Sequence, residues 1–228
     1  MGIALFIAIA ILGYAVQWRF KNKFKKYSEI AITSGLSGAE IAKKMLNDND
    51  IFDVEIISVD GQLTDHYNPD NRTVNLSPDV YAGRSIAAAA VAAHECGHAV
   101  QHAKAYGWLQ FRSAMVPMVG VASNLIQWTL MIGFMLLVFG GIPWVLMVGV
   151  AALAIVTFFS FVTLPVEFDA SKRALAWLQT NKGIMQTSVE NDQAKDALWW
   201  AAMTYVVAAL SSLATLAYYA SMLIGRRD

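Results

Sequence analysis

Only one cysteine occurs in the 228 residues, so an intramolecular disulfide framework is excluded. Neither sign of charge is in excess: 17 Lys and Arg face 17 Asp and Glu, which removes the electrostatic footprint of a nucleic-acid binder. Charge of either sign is itself scarce. Charged residues make up 15% of the chain, against about 25% in ordinary soluble domains. Residues 113–166 contain no Asp, Glu, Lys, Arg or His at all. No internal repeat appears, and the only compositional bias is an alanine-rich stretch before residue 94.

What is there instead is apolar. Hydrophobic residues are 57% of the chain. A bilayer's hydrocarbon core takes about 20 apolar residues per helical crossing, so residues 113–166 are long enough for two crossings. Gly140, Gly141 and Pro143 supply the turn between them. Further apolar runs occupy residues 1–18 and 197–225. The first has no positive leading region and no small-residue cleavage site, so it is read as an anchor and not as a removable signal.

Arg19, Lys21, Lys23, Lys25 and Lys26 follow that anchor directly. Such a cluster is held on the cytoplasmic side of a membrane. Four crossings then leave residues 19–112 and 167–196 inside, where Lys172, Arg173, Lys182 and Lys195 agree and Arg226 and Arg227 disagree. The expected organisation is a transmembrane anchor (1–18), a catalytic module (19–112), a transmembrane hairpin (113–166), a helix and loop (167–196) and a last transmembrane helix (197–228). The fold class expected is a mainly α membrane protein with four transmembrane helices and a small α+β module. The expected localisation is a bacterial plasma membrane, with the catalytic side cytoplasmic.

Within the first polar stretch, Ser37 followed by Glu40 is a capping-box signature for a helix over residues 38–46. Residues 53–59 (DVEIISV) read as a strand closed by Asp60-Gly61, residues 65–71 as a loop, and residues 73–77 (TVNLS) as a second short strand, expected at a sheet edge. A helix then runs from about Pro78, or from beyond Arg84, to near Lys104.

That helix carries His94-Glu95-Cys96-Gly97-His98. Side chains four apart share one helix face, so two imidazoles at this spacing can hold one ion. Glu95 projects beside them as a carboxylate able to take a proton from an attacking water. Cys96 faces elsewhere and is read as a small buried residue. Gly97 costs about 1 kcal/mol of helix propensity relative to Ala, which suggests that space is needed there.

A catalytic zinc ion takes three protein ligands and keeps one position open. His102 continues the stripe, but three ligands at i, i+4 and i+8 of a straight helix cannot surround one ion, so it is read as a supporting residue. Glu167 is the stronger candidate. It is the first ionisable group after the uncharged run and stands just past Pro165, with Asp169 as its rival.

The residues 94–102 (HECGHAVQH) and 164–171 (LPVEFDAS), with Tyr67-Asn68-Pro69, Leu76-Ser77-Pro78 and the hydrophobic segments, resemble the YugP-type membrane neutral zinc metallopeptidases over nearly the whole chain. More distantly they are similar to the HtpX and CAAX-prenyl-protease class of gluzincins. That resemblance implies one catalytic zinc ion held by His94, His98 and Glu167, with Glu95 as general base. Ser171 stands where the distant class has an aspartate that contacts a histidine, and this chain departs from the pattern there. The resemblance also implies an edge strand that receives an extended polypeptide substrate. Residues 73–77 hold that place in chain order, making Val74, Asn75 and Leu76 the expected substrate-binding residues.

The function expected is therefore peptide-bond hydrolysis by a membrane-anchored zinc metalloprotease, whether in membrane-protein quality control or in processing of one target. His66, Tyr67, His102 and Arg173 are candidates for stabilising the oxyanion. An intramembrane site-2-type protease is a rival reading, weakened by an alanine-rich motif helix and by the absence of a Leu-Asp-Gly motif. A non-catalytic zinc-binding membrane regulator is another, weakened by Glu95, which metal binding alone does not require.

Overall fold

The computed structural model describes residues 2–224; Arg226 and Arg227, used above in the topology argument, lie outside them. The elements in order are α1 (Gly2–Ser28), α2 (Gly38–Asp48), β1 (Glu55–Ser58), β2 (His66–Asn68), β3 (Thr73–Leu76), α3 (Pro78–Tyr81), α4 (Ile86–Ala103), α5 (Gly107–Gly140), α6 (Trp144–Thr180) and α7 (Ser188–Ile224). The chain divides into two compact units, one of residues 1–15, 110–164 and 204–228, the other of residues 16–109 and 165–203.

The first unit is built from apolar helix. Among the described residues three helices are long and apolar enough to cross a membrane: α5, α6 and α7. The fourth crossing expected from residues 1–18 is not among them. Glycines let the helices of this unit close on one another. A Cβ at Gly133 would meet the Leu146 backbone at 2.5 Å, and one at Gly149 would meet Leu130 at 2.8 Å. Close approach through small residues is how helices associate where no water drives them together. Thr157 and Ser212 join α6 to α7 by a 2.6 Å hydrogen bond. Large apolar side chains such as Phe139 and Val121 face outward, as lipid-facing residues do.

The second unit is a small α+β module. The capping box forms as the sequence predicts: Glu40 N–H donates to Ser37 Oγ, and Ser37 N–H donates to Glu40 Oε2. α2 buries Ile41, Ala42, Met45 and Leu46 against the alanine face of α4, whose residues 86–90 are all fully or nearly fully buried. Pro78–Tyr81 forms its own short helix, and α4 starts afresh after Arg84 with Ser85 Oγ accepting from Ala88 N–H.

The sheet departs from expectation in two ways. The segment read as a loop, residues 65–71, contains β2. Strand order is β1-β3-β2, with β1 parallel and β2 antiparallel to β3. β3 is thus the central strand and wholly buried, where an edge was expected. Both of its hydrogen-bonding sides are occupied, so Val74, Asn75 and Leu76 offer no free backbone to an incoming chain. Short-range pattern could not reveal this, since β2 is three residues long and has no β-branched run.

Candidate metal centre

The site is assembled by α4 and by the part of α6 in the second unit. α4 approaches α6 at Gly97, where a Cβ would stand 2.6 Å from the Ala170 carbonyl oxygen. That clash is with backbone, which cannot turn aside, so only glycine permits the approach. The space the sequence called for at Gly97 is therefore taken by a neighbouring helix. Glu167 lies three residues before Ala170 and Ser171 one after it, so one face of α6 presents both to the histidines.

His94 and His98 sit one turn apart, with ring centroids 4.8 Å apart and planes at 84°. Glu167 Oε2 is 3.4 Å from His94 Nε2 and 3.7 Å from His98 Nε2. The ligand-type atoms of all three lie within 4.8 Å of one another. Metal–ligand bonds of 2.0–2.1 Å in a tetrahedron put donors about 3.3 Å apart, close to the two distances from Glu167 to the imidazoles. His98 and Glu167 are buried and His94 is partly so. Asp169, the rival acid, is absent from this cluster and is engaged elsewhere. His102 is also outside it.

Each histidine is held by its other nitrogen. His98 Nδ1 lies 3.0 Å from Gln101 Oε1. Gln101 is fully buried, and its Nε2 donates to the Val166 carbonyl and to Asp169 Oδ2, both at 2.8 Å. Those two acceptors fix which end of the amide is nitrogen. The oxygen toward His98 can only accept, so His98 carries its proton on Nδ1 and turns the Nε2 lone pair to the site. Asp169 in turn accepts from Arg173 Nε at 2.6 Å, and Arg173 stacks over Tyr106. Gln101 was missed in the sequence reading, although its position three after His98 put it on the same helix face. For His94 the partner is Ser171 Oγ, 3.1 Å from Nδ1. The serine reaches the histidine where an aspartate was missing from the pattern.

Burial alone would lower the pKa of His98, but the Glu167 carboxylate outweighs it and the net direction is upward. Burial pushes the Cys96 thiol well up, and its sulfur faces the Ala42 carbonyl, away from the cluster.

Glu95 is buried, and Oε2 accepts from the Tyr67 N–H at 3.0 Å. β2 therefore lies along α4 with the outward edge of Tyr67 turned to Glu95. The Tyr67 hydroxyl is 2.7 Å from His102 Nδ1, which gives His102 its supporting contact. Of the oxyanion candidates, His66 is exposed and bonds the Thr64 carbonyl, and Arg173 is taken by Asp169. Tyr67 and His102 are the two that the structure joins beside Glu95. α4 is not among the helices long and apolar enough to cross a membrane.

A family model described as "putative neutral zinc metallopeptidase" matches residues 2–224. A protein of Bacillus subtilis (strain 168) described as "Putative membrane protease YugP" is 42% identical over 226 residues, which cover 98% of this chain and 98% of that protein. No solved structure matches the chain.

Proposed function

Because the chain belongs to the family of neutral zinc metallopeptidases, we propose that it is a membrane-anchored endopeptidase that hydrolyses peptide bonds at one zinc site. The observation that carries this reading is the convergence of His94 Nε2, His98 Nε2 and Glu167 Oε2. These three atoms would hold the ion. Bound there, zinc polarises a carbonyl oxygen and lowers the pKa of water toward neutrality.

Glu95 performs the proton transfers. Its carboxylate accepts a proton from the attacking water and returns it to the leaving amine, as a general base and then a general acid. The Tyr67 N–H holds the Glu95 carboxylate in place. Gln101 and Ser171 keep both imidazoles turned the same way. The substrate lies extended beside β2 at Glu95, pairing with edge positions other than the Tyr67 N–H that Glu95 occupies. Backbone pairing of this kind gives affinity with little dependence on side chains.

α1 is the fourth membrane crossing. Residues 1–15 group with the apolar parts of α5, α6 and α7, and Phe6 packs edge-on against Tyr218 with ring centroids 4.9 Å apart. Its cations, with Lys172, Arg173, Lys182 and Lys195, favour a catalytic side facing the cytoplasm of a bacterial cell.

Casein cleavage and zinc content measured together, on wild type, Glu95→Gln and Glu167→Ala, test the reading. Glu95→Gln should lower the cleavage rate by about 10²-fold or more while zinc stays bound. Glu167→Ala should lose zinc. Cleavage that survives Glu95→Gln, or full zinc content in Glu167→Ala, overturns the assignment.

A further inference from the structure

α6 and α7 form a second concavity in the module unit, which meets the metal centre only at Ser171. It is a groove of about 380 Å³ whose floor is apolar, with Leu175 and Leu198 among its lining. Phe168 and Trp199 stand at one end, with ring centroids 6.5 Å apart, and both are exposed. Lys172 and Lys195 line it as well. No carboxylate lines the groove, and neither lysine has an ion-pair partner among the described residues. Of the acids near them in sequence, Asp169 is engaged by Arg173 and Asp196 by Lys23, and Asp192, three residues before Lys195, is not part of the groove's lining. Two exposed cations over an apolar trough are thus left without a counter-charge.

Their positions along the helices indicate what neutralises them. Charge resumes on α6 after Val166, and the uncharged part of α7 begins at Ala197. At 1.5 Å per residue, Lys172 and Lys195 stand about 9 and 3 Å beyond those limits. A headgroup layer is roughly 5–7 Å deep on each side of the hydrocarbon. The two lysines' backbone positions therefore bracket the depth of lipid phosphates, and Trp199 and Phe168 sit at the level where aromatic residues mark the interface.

We propose that this groove is a binding site for one anionic phospholipid, with its phosphate between Lys172 and Lys195 and an acyl chain along the apolar floor toward Phe168 and Trp199. A zwitterionic lipid brings its own cation into the same space and gains little from the lysines. Each lysine near an anionic surface contributes enough for the pair to favour the anionic lipid by about tenfold or more.

The full-length protein in detergent is titrated with phosphatidylglycerol or phosphatidylcholine of identical acyl chains, and bound lipid is counted by native mass spectrometry. Wild type should hold one phosphatidylglycerol about tenfold more tightly than phosphatidylcholine. Lys172→Glu/Lys195→Glu should abolish the preference, whereas Lys182→Glu, outside the groove, should keep it. If the double charge reversal does not fold, as read by zinc content, Lys172→Gln/Lys195→Gln replaces it and should reduce the preference severalfold. Equal binding of the two lipids by wild type overturns the site. So does a preference that survives loss of both lysines, or one lost equally in Lys182→Glu.

Discussion

At the scale of single residues, the centre depends as much on the atoms behind the imidazoles as on those in front. An imidazole offers a lone pair to a cation only on the nitrogen that lacks the proton. Gln101 decides this for His98, because its own amide is pinned by the Val166 carbonyl and Asp169. Replacing Gln101 with leucine keeps the bulk but removes the acceptor, and partners of this type usually carry 10–100-fold of metal affinity. Zinc affinity of Gln101→Leu, measured against a competing chelator, should fall about that far, with helix content unchanged. Affinity equal to wild type would show that His98 needs no such hold.

At the scale of elements, the contact between α4 and α6 sets the distance from Glu167 to the histidines. Gly97→Ala gains helix propensity of up to about 1 kcal/mol but drives a methyl group into the Ala170 carbonyl. Overpacking of this kind costs about 1–3 kcal/mol, and the helices must part to relieve it. The expected outcome is a lower melting temperature together with weaker zinc binding. A variant that melts higher and binds zinc as wild type does would mean that the approach at Gly97 has no bearing on the site.

The same scale explains why β2 escaped the sequence reading. Three residues, His66 to Asn68, carry no alternation that distinguishes them from the surrounding turn residues. Their strand geometry comes from pairing with β3 and from the Tyr67 N–H bond to Glu95. Residues 73–77, by contrast, have strand character of their own, yet nothing local reports how many neighbours a strand acquires. The edge expected at β3 is at β2.

For the whole molecule, a metal held by His94 and Glu167 would link segments far apart in the chain, since α5 and most of α6 separate the two residues. Removing it should therefore cost global stability as well as activity. Free zinc at 100 times its dissociation constant stabilises a protein by about 2.7 kcal/mol. Chelation should then lower the melting temperature by on the order of 5–10 °C. The sign of the pH dependence follows from His98. Its pKa is raised in the metal-free site, so protons compete with zinc there from a higher pH than at an ordinary histidine. The chelator-sensitive part of the stability should be full in mildly alkaline buffer and shrink on acidification, beginning at a higher pH than an ordinary histidine would give. Melting curves with and without chelator across that range check both points; a zinc increment that grows on acidification would contradict them.

The sequence alone determined what depends on near neighbours. Helical period brings His94, Glu95 and His98 to one turn, and capping chemistry starts α2 at Ser37. A long absence of charge leaves α5 and α6 only an apolar environment to enter. Tertiary structure decided everything that requires two distant segments to meet: that Glu167 and not Asp169 comes within reach of the imidazoles, that Gln101 and Ser171 stand behind them, and that β3 is enclosed. Those outcomes turn on the depth to which α4 and α6 can approach each other. That depth is set by a missing side chain at Gly97 and a backbone carbonyl at Ala170, a pairing no local pattern encodes.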